Sequence, residues 1–110
     1  MIEVTITRDA SGYREITAHG HAGYDGSGKD IICAAVSTLV LNTLNCIELF
    51  TDDAFEEQMN EKTADIRFRF NGAVSERSEL LLDTMVHGLK DLEQNYESYL
   101  SLTEKSEEVE

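Results

Sequence analysis

The stretch from about Ile31 to Leu49 is apolar on nearly every side of the helix that it predicts. Its aliphatic side chains recur at steps of three and four and also fill the positions between. A helix of this kind has to be covered on more than one side. We therefore expect a sheet against one face of the helix, and a second helix or another subunit against part of the rest. The residues concerned are Ala34, Ala35, Val36, Leu39, Val40, Leu41, Leu44 and Ile47.

Alternating apolar and polar residues predict two β-hairpins, one before this helix and one after it. The first combines residues 2–7 with residues 13–19, and the second combines residues 54–60 with residues 64–70. Each strand places its apolar residues on one face, which is typical of a sheet that is buried on one side. The residues expected to face inward are Ile2, Val4, Ile6, Ile16, Ala18, Ile66, Phe68 and Phe70.

A second long helix follows, with Ser75 as the predicted N-cap. Its apolar stripe is expected to contain Leu82, Met85, Val86, Leu89, Leu92, Tyr96 and Tyr99. The order β-β-α-β-β-α predicts an α+β domain of two layers, with two helices on a mostly antiparallel sheet of about four strands. We expect this single domain to cover residues 1–102 and residues 103–110 to form an acidic, disordered tail.

The chain is strongly acidic, with 9 basic and 22 acidic residues and a net charge of −13. Direct binding of nucleic acid is not expected, because phosphate contacts require clustered Lys and Arg. A negative net charge would attract a cationic protein substrate, and it also keeps a protein soluble. We find no apolar run near the ~18–20 residues of a membrane span and no signal peptide. Two cysteines without a secretory signal indicate free thiols and a cytoplasmic protein.

The segment from His19 to Ser37 contains the residues that are suited to chemistry. Glycines at positions 20, 23, 26 and 28 precede the first helix, and we expect this loop, from Gly20 through Gly23 and Gly26 to Gly28, to be mobile. Asp30 is the predicted N-cap, which would place Cys33 in the first helical turn. Unpaired backbone N–H groups and the helix dipole there favour the thiolate and lower the pKa of a cysteine below about 8.5.

Two histidines of this segment are candidate bases for that thiol. His19 and His21 point to opposite sides if the strand continues through both, so the residue pattern does not choose between them. His87, on the second helix, is expected at the surface. Cys46 is expected to be an inert core residue, about 220° around the helix from Cys33 at ~100° per residue.

Two sequence blocks in this segment resemble the signature of the ribosomal-processing cysteine protease family, Prp. They are Gly20-His21-Ala22 and Gly28-Lys29-Asp30-Ile31-Ile32-Cys33-Ala34-Ala35-Val36-Ser37, with Ile32 where valine is commoner. The resemblance extends over roughly residues 1–102. It implies a catalytic dyad in which His21 is the base and Cys33 the nucleophile. No cofactor is implied.

The resemblance also implies a substrate and an assembly. The substrate would be a large-subunit ribosomal protein whose short N-terminal extension is removed, and the enzyme would be a homodimer. Asp30 and Ser37 are supporting candidates. Asp30 either caps the helix or orients the imidazolium, and Ser37, one turn beyond Cys33, either donates to the sulfur or bonds back to a helix carbonyl.

Two other classes of function are compatible with the residues. The first is a metal-binding module that uses His19, His21 and Cys33, although three widely spaced ligands do not form a zinc-finger pattern. The second is a non-catalytic, ribosome-associated binding protein with an acidic surface, in which Cys33 is incidental. Nucleotide binding is disfavoured, because Asp30 follows Gly28-Lys29 where a phosphate loop requires Ser or Thr.

Overall fold

The computed structural model describes residues 1–20, 29–60, 62–63 and 65–107. The elements follow the order β-β-α-β-β-α-β. They are β1 (Ile2–Asp9), β2 (Gly12–His19), α1 (Lys29–Phe50), β3 (Phe55–Met59), β4 (Ile66–Phe70), α2 (Glu76–Asn95) and β5 (Leu100–Ser106). The predicted α+β class, both hairpins and both helices are confirmed.

The five strands form one mixed sheet in the order β3-β4-β2-β1-β5. All neighbouring pairs are antiparallel except β1 and β5, which run parallel. The register places Glu3 beside His19, Ala18 beside Ile66 and Met59 beside Ile66. These residues therefore lie at one end of the sheet, which we call the His19 end. Phe70 lies at the opposite end, which we call the Phe70 end.

One face of the sheet is buried under the two helices and contains the hydrophobic core. All eight residues that were predicted to face inward are buried. The helices contribute the remaining core side chains, which include Val36, Val40, Leu44 and Ile47 of α1 and Leu82, Met85 and Leu89 of α2. The residues between the inward-facing ones, such as Glu3, Thr17 and Arg67, lie on the other, polar face.

Contacts at the Phe70 end fix the direction of α1. The guanidinium of Arg77, at the start of α2, donates to the carbonyl of Phe50, the last residue of α1. Asp53 then accepts hydrogen bonds from the backbone N–H and the hydroxyl of Ser75, the confirmed N-cap of α2, and from the hydroxyl of Ser78. Because α1 ends beside the start of α2, its first turns lie toward the His19 end.

The fifth strand corrects the predicted sheet and the predicted tail. Residues 103–106 belong to β5 and pair with residues 5–8 of β1, so the expectation of about four strands and of a disordered tail from residue 103 is wrong for this segment. Glu104 accepts from Arg8 and Lys90, which further fastens the strand. The short polar strand is stabilised by the free edge of β1, which no local sequence pattern reveals. Residues 108–110 lie outside the described part of the chain.

The ends of both helices also differ from prediction. Helix α2 ends at Asn95, and Tyr96 is its C-cap, so neither Tyr96 nor Tyr99 continues the helical stripe. The chain turns there to deliver β5, and the backbone N–H of Leu100 donates to the carbonyl of Tyr96. Helix α1 begins at Lys29, which places Asp30 inside the first turn and not at the N-cap.

Residues 31–50 of α1 have the length and composition of a membrane span, with a mean hydropathy of 1.6, which differs from the prediction that no such segment is present. Asn, Thr and Ser side chains interrupt the apolar run of this helix without adding charge. Val36, Val40 and Leu44 are buried in the core, which accounts for one apolar side of the helix.

Candidate active site

Cys33 lies in the part of α1 that reaches the His19 end of the sheet. A helix of 22 residues spans about 33 Å, which is longer than any strand here. Its other end is fixed at the Phe70 end by Arg77 and Asp53. The length and direction of α1 therefore place Cys33 close to where β2 ends and where the chain leaves the sheet toward α1.

The thiol of Cys33 is at the boundary between core and solvent. Its neighbour Ile32 is buried, Ile31 is 72% exposed, and Cys33 itself is half-buried and packs against the core. Cys33 is the fifth residue of α1, two positions later than predicted, so its own N–H lies past the amides of the first turn that have no intrahelical partner. Side chains on a helix tilt toward its N-terminus, which directs this thiol over those amides.

The environments of the two cysteines reverse one expectation. Cys46 was predicted in the core, but it is only half-buried, and its Sγ lies 4.0 Å from Oδ1 of Asn42 on the same helix. The core positions nearby are taken by Leu44 and Ile47. The prediction for Cys46 was wrong because an all-apolar stretch does not reveal which side of the helix faces the sheet.

Ser37 is half-buried and lies one turn beyond Cys33.

His19 is on the polar face of the sheet. Its Nε2 lies 2.8 Å from a carboxylate oxygen of Glu3, and both side chains are about half exposed. Cys33 packs against the core on the opposite, helix-covered face. The sheet therefore lies between His19 and Cys33. His87 is exposed on α2, as predicted.

Gly20 directs the chain as it leaves β2. Its φ angle is +91°, and a Cβ at this position would lie 2.2 Å from the carbonyl oxygen of Met1 and 3.2 Å from Cα of Ile2. Only glycine fits both this backbone conformation and this close approach. Gly20 therefore lies close against the first residues of β1, and the expected mobility of the loop that it begins stays a prediction.

Several predicted site residues fall outside the described part of the chain. They are His21, Gly23, Gly26 and Gly28, and the side chain of Asp30 is also not described. The expected mobility of residues 21–28, the contact between His21 and Cys33, and the orienting role of Asp30 therefore stay predictions.

The described residues offer little support for a metal site. No group of three His, Cys, Asp or Glu side chains within them lies close enough to hold a metal ion. Two members of the alternative ligand set, His19 and Cys33, are on opposite faces of the sheet.

An open cavity of about 740 Å³ lies at the His19 end, beside the turn between β3 and β4. Met59 and Ile66 contribute its apolar wall, and Asn60, Lys62 and Asp65 contribute polar groups. Within the turn, Oδ1 of Asn60 accepts from the backbone N–H groups of Lys62 and Thr63. Sequence reasoning missed this cavity, because it depends on how the hairpin meets the end of the sheet.

Comparison with known proteins agrees with the resemblance seen in the sequence. Residues 1–101 match the family model described as Cysteine protease Prp. A protein of Staphylococcus aureus named ribosomal processing cysteine protease Prp is 26% identical over 106 residues, covering 96% of this chain and all of the relative. A Bacillus subtilis protein of the same name is 25% identical over 108 residues, covering 94% of this chain and 96% of the relative.

Solved structures share the fold. A crystal structure of the Staphylococcus aureus ribosomal processing protease Prp with a substrate peptide superposes with a TM-score of 0.88 at 25% identity, covering 96% of this chain and all of that one. A Streptococcus mutans protein superposes with a TM-score of 0.86 at 27% identity, covering 97% and 99% of the two chains.

Gly20→Ala tests the role of the turn after β2. The strained backbone should lower the free energy of unfolding by about 1–3 kcal/mol. It should also reduce peptide cleavage at least about tenfold, because misplacement of a group near the reacting atoms is costly. Denaturation and cleavage assays measure both effects. Gly72→Ala is the matched control, since a Cβ there would meet nothing within 4 Å. Equal behaviour of the two variants would contradict the assignment.

Proposed function

The chain belongs to the cysteine protease Prp family, whose model matches residues 1–101, and we propose that Cys33 is its nucleophile and His21 its general base. The observation that carries the assignment of Cys33 is its position: half-buried against the core, one turn into α1, at the His19 end. The other cysteine, Cys46, is 13 residues further along the same helix.

The choice of base is supported by the position of the other histidine of this segment. His19 is paired with Glu3 across the sheet from Cys33. His21 follows two residues later, immediately after the turn that Gly20 sets against Met1. Because β2 ends at His19, strand alternation does not assign the residues after Gly20 to either face of the sheet. Asp30 and Ser37 are proposed as supporting residues on the same helix.

The proposed reaction is nucleophilic peptide cleavage. The imidazole of His21 takes the thiol proton, and the sulfur of Cys33 attacks the carbonyl carbon to form a tetrahedral intermediate. N–H groups in the first turn of a helix have no intrahelical partner, and those of α1 are proposed as donors for the oxyanion of this intermediate. The imidazolium then gives its proton to the leaving amine, and the C–N bond breaks to leave a thioester. Water, deprotonated by the same imidazole, hydrolyses the thioester and restores the thiol.

We further propose that the substrate is a large-subunit ribosomal protein with a short N-terminal extension. The curated relatives are named for ribosomal processing, and one solved relative holds a substrate peptide. Ribosomal proteins are cationic, and a net charge of −13 would attract such a partner and accelerate its encounter with the enzyme. This role places the enzyme in the cytoplasm, where ribosomes are assembled.

Cys33→Ala tests the nucleophile and the substrate together. The unaltered protein should shorten the extended ribosomal protein of its own organism, and Cys33→Ala should lose at least about a thousandfold in rate. Mass spectrometry of the product measures both. Cys46→Ala is the matched control and should retain activity. Cleavage by correctly folded Cys33→Ala would refute the nucleophile assignment, and no cleavage by the unaltered protein would refute the substrate.

The kcat values of two further variants distinguish the roles of His19 and His21. His21→Ala should reduce kcat by about 10²–10⁴, the usual contribution of a general base. His19→Ala removes only a half-exposed contact with Glu3 and should leave kcat within about twofold. Steady-state kinetics on the same peptide measure both values. Comparable losses would contradict the assignment of His21.

We also propose a homodimer formed through the uncovered side of α1. Ile31, Leu49 and Phe50 are exposed on this helix, at 72%, 74% and 57%. Residues 31–47 contain no charged side chain, although the protein as a whole is strongly charged. Such a surface is typical of an interface between subunits.

Leu49→Glu tests this interface. The protein should have the mass of two chains by light scattering, and Leu49→Glu should shift it toward one chain, because a buried charge without a partner is costly. Tyr96→Glu, which adds the same charge at the exposed far end of α2, should not change the mass. A parent protein with the mass of one chain at micromolar concentration would contradict the proposal.

A further inference from the structure

We propose that the outer edge of β3 binds an extended, basic segment of the protein substrate as an added strand. This inference rests on the proposed function, since it concerns how the substrate of the Cys33 site is held. Within the described part of the chain, β3 is an outer strand that pairs only with β4. The edge consists of five residues, Phe55 to Met59, and four of them are exposed.

The pairing with β4 decides which backbone groups face outward. The hairpin is bounded by two backbone hydrogen bonds, from Asn71 N–H to the carbonyl of Ala54 and from Asn60 N–H to the carbonyl of Asp65. Hydrogen-bonded pairs alternate with non-bonded pairs in an antiparallel ladder. The even-numbered residues of β3 therefore bond to β4. The N–H and C=O groups of Phe55, Glu57 and Met59 point away from the sheet, where an extended peptide can pair with them.

The side chains of this edge carry charge that the described structure does not neutralise. Glu56 and Glu57 are exposed on opposite faces of β3, and neither makes an ion pair with a described residue. Arg69 lies opposite Glu56 in the register, but its guanidinium is bound to Glu107 at 3.0 Å and lies 3.9 Å from Glu15. Alternate lysines or arginines of an added strand share one face, so they would lie near one of the two carboxylates.

The other outer strand, β5, is a poorer candidate. Its Glu104 is already engaged by Arg8 at 3.0 Å and by Lys90 at 3.3 Å. A basic peptide would have to displace these partners. The two edges therefore differ in available charge, which favours β3.

The position of β3 also suits a substrate of the Cys33 site. The strand runs toward the His19 end, where α1 begins, and it finishes at Met59. The cavity of about 740 Å³ continues from this point, with Met59 and Ile66 in its wall. A segment paired along β3 would be led into the cavity and toward the end of the sheet that holds Cys33.

A simpler role for the two glutamates is to keep the edge from pairing with other chains, as charged residues do at many sheet edges. In that case neither the backbone of β3 nor its charges would affect substrate binding. The two roles make opposite predictions, and the experiments below distinguish them.

Amide hydrogen exchange on full-length Cys33→Ala tests the pairing directly. The probe is a capped ten-residue peptide of alternating lysine and valine, and the same peptide with glutamate in place of lysine is the charge control. We expect the lysine peptide to slow exchange at Phe55, Glu57 and Met59 at least about fivefold. Glu56 and Gln58 should change little, because their amides already bond to β4. No slowing at the three outward amides, or equal slowing by the glutamate peptide, would overturn the proposal.

Exchange in the peptide-free protein provides a further test. If the three outward amides are already protected at all protein concentrations, another part of the chain occupies the edge. If their protection rises with protein concentration, a second copy occupies it. Either result would overturn the proposal.

Kinetics on the cleaved ribosomal protein complete the test. Glu57→Pro removes one outward N–H without removing a bond to β4, and proline is tolerated on edge strands. It should raise KM at least about fivefold with little change in kcat, and the double variant Glu56→Gln, Glu57→Gln should raise KM and weaken its dependence on salt. Glu97→Gln, an exposed glutamate at the end of α2, is the matched control. Unchanged KM in folded variants would overturn the proposal, whereas the proposed function fails if Cys33→Ala remains active or if the unaltered protein does not cleave the ribosomal protein.

Discussion

Burial of one face of the five-stranded sheet beneath two helices is the interaction on which the rest of this structure depends. The inward-facing residues of β1, β2 and β4 are almost completely excluded from solvent, as are five apolar residues of α1. Burial of that much apolar surface is the main favourable contribution to folding. It also makes the two faces of the sheet chemically different, which separates His19 on one face from Cys33 on the other.

A charged group at the Phe70 end determines how the helices lie on this face. Burial tends to raise the pKa of Asp53, but hydrogen bonds from Ser78 and Ser75 outweigh it and lower that pKa below its usual value. The carboxylate is therefore charged at neutral pH and joins the exit of α1 to the N-cap of α2. This connection directs α1 toward the His19 end, so residues far from the thiol determine where the thiol lies.

The proposed protease uses features that are spread over the whole domain. Helix α1 supplies Cys33, Gly20 sets the path of the chain before His21, and β3, which pairs only with β4 among the described residues, leads to the same end of the sheet. The acidic surface suits a basic protein substrate. No single one of these features identifies a peptide-cleaving enzyme, but they share one end of the fold.

The sequence by itself determined the types of element, their inward faces and the family. Alternation at Ile2, Val4 and Ile6, the stripe from Leu82 to Leu89 and the cap at Ser75 are local patterns that hold wherever the elements pack. The motifs around His21 and Cys33 are likewise contiguous in sequence. These features could be predicted because the residues that specify them are neighbours in the chain.

Only the tertiary structure decided the fifth strand, the strand order and the surroundings of the site. Residues 103–106 are polar and become a strand because the edge of β1 pairs with them. The exposure of Cys46 depends on which side of an all-apolar helix meets the sheet, and the separation of His19 from Cys33 depends on which face the helices cover. In each case the deciding contact joins residues distant in sequence, and local periodicity carries no information about such contacts.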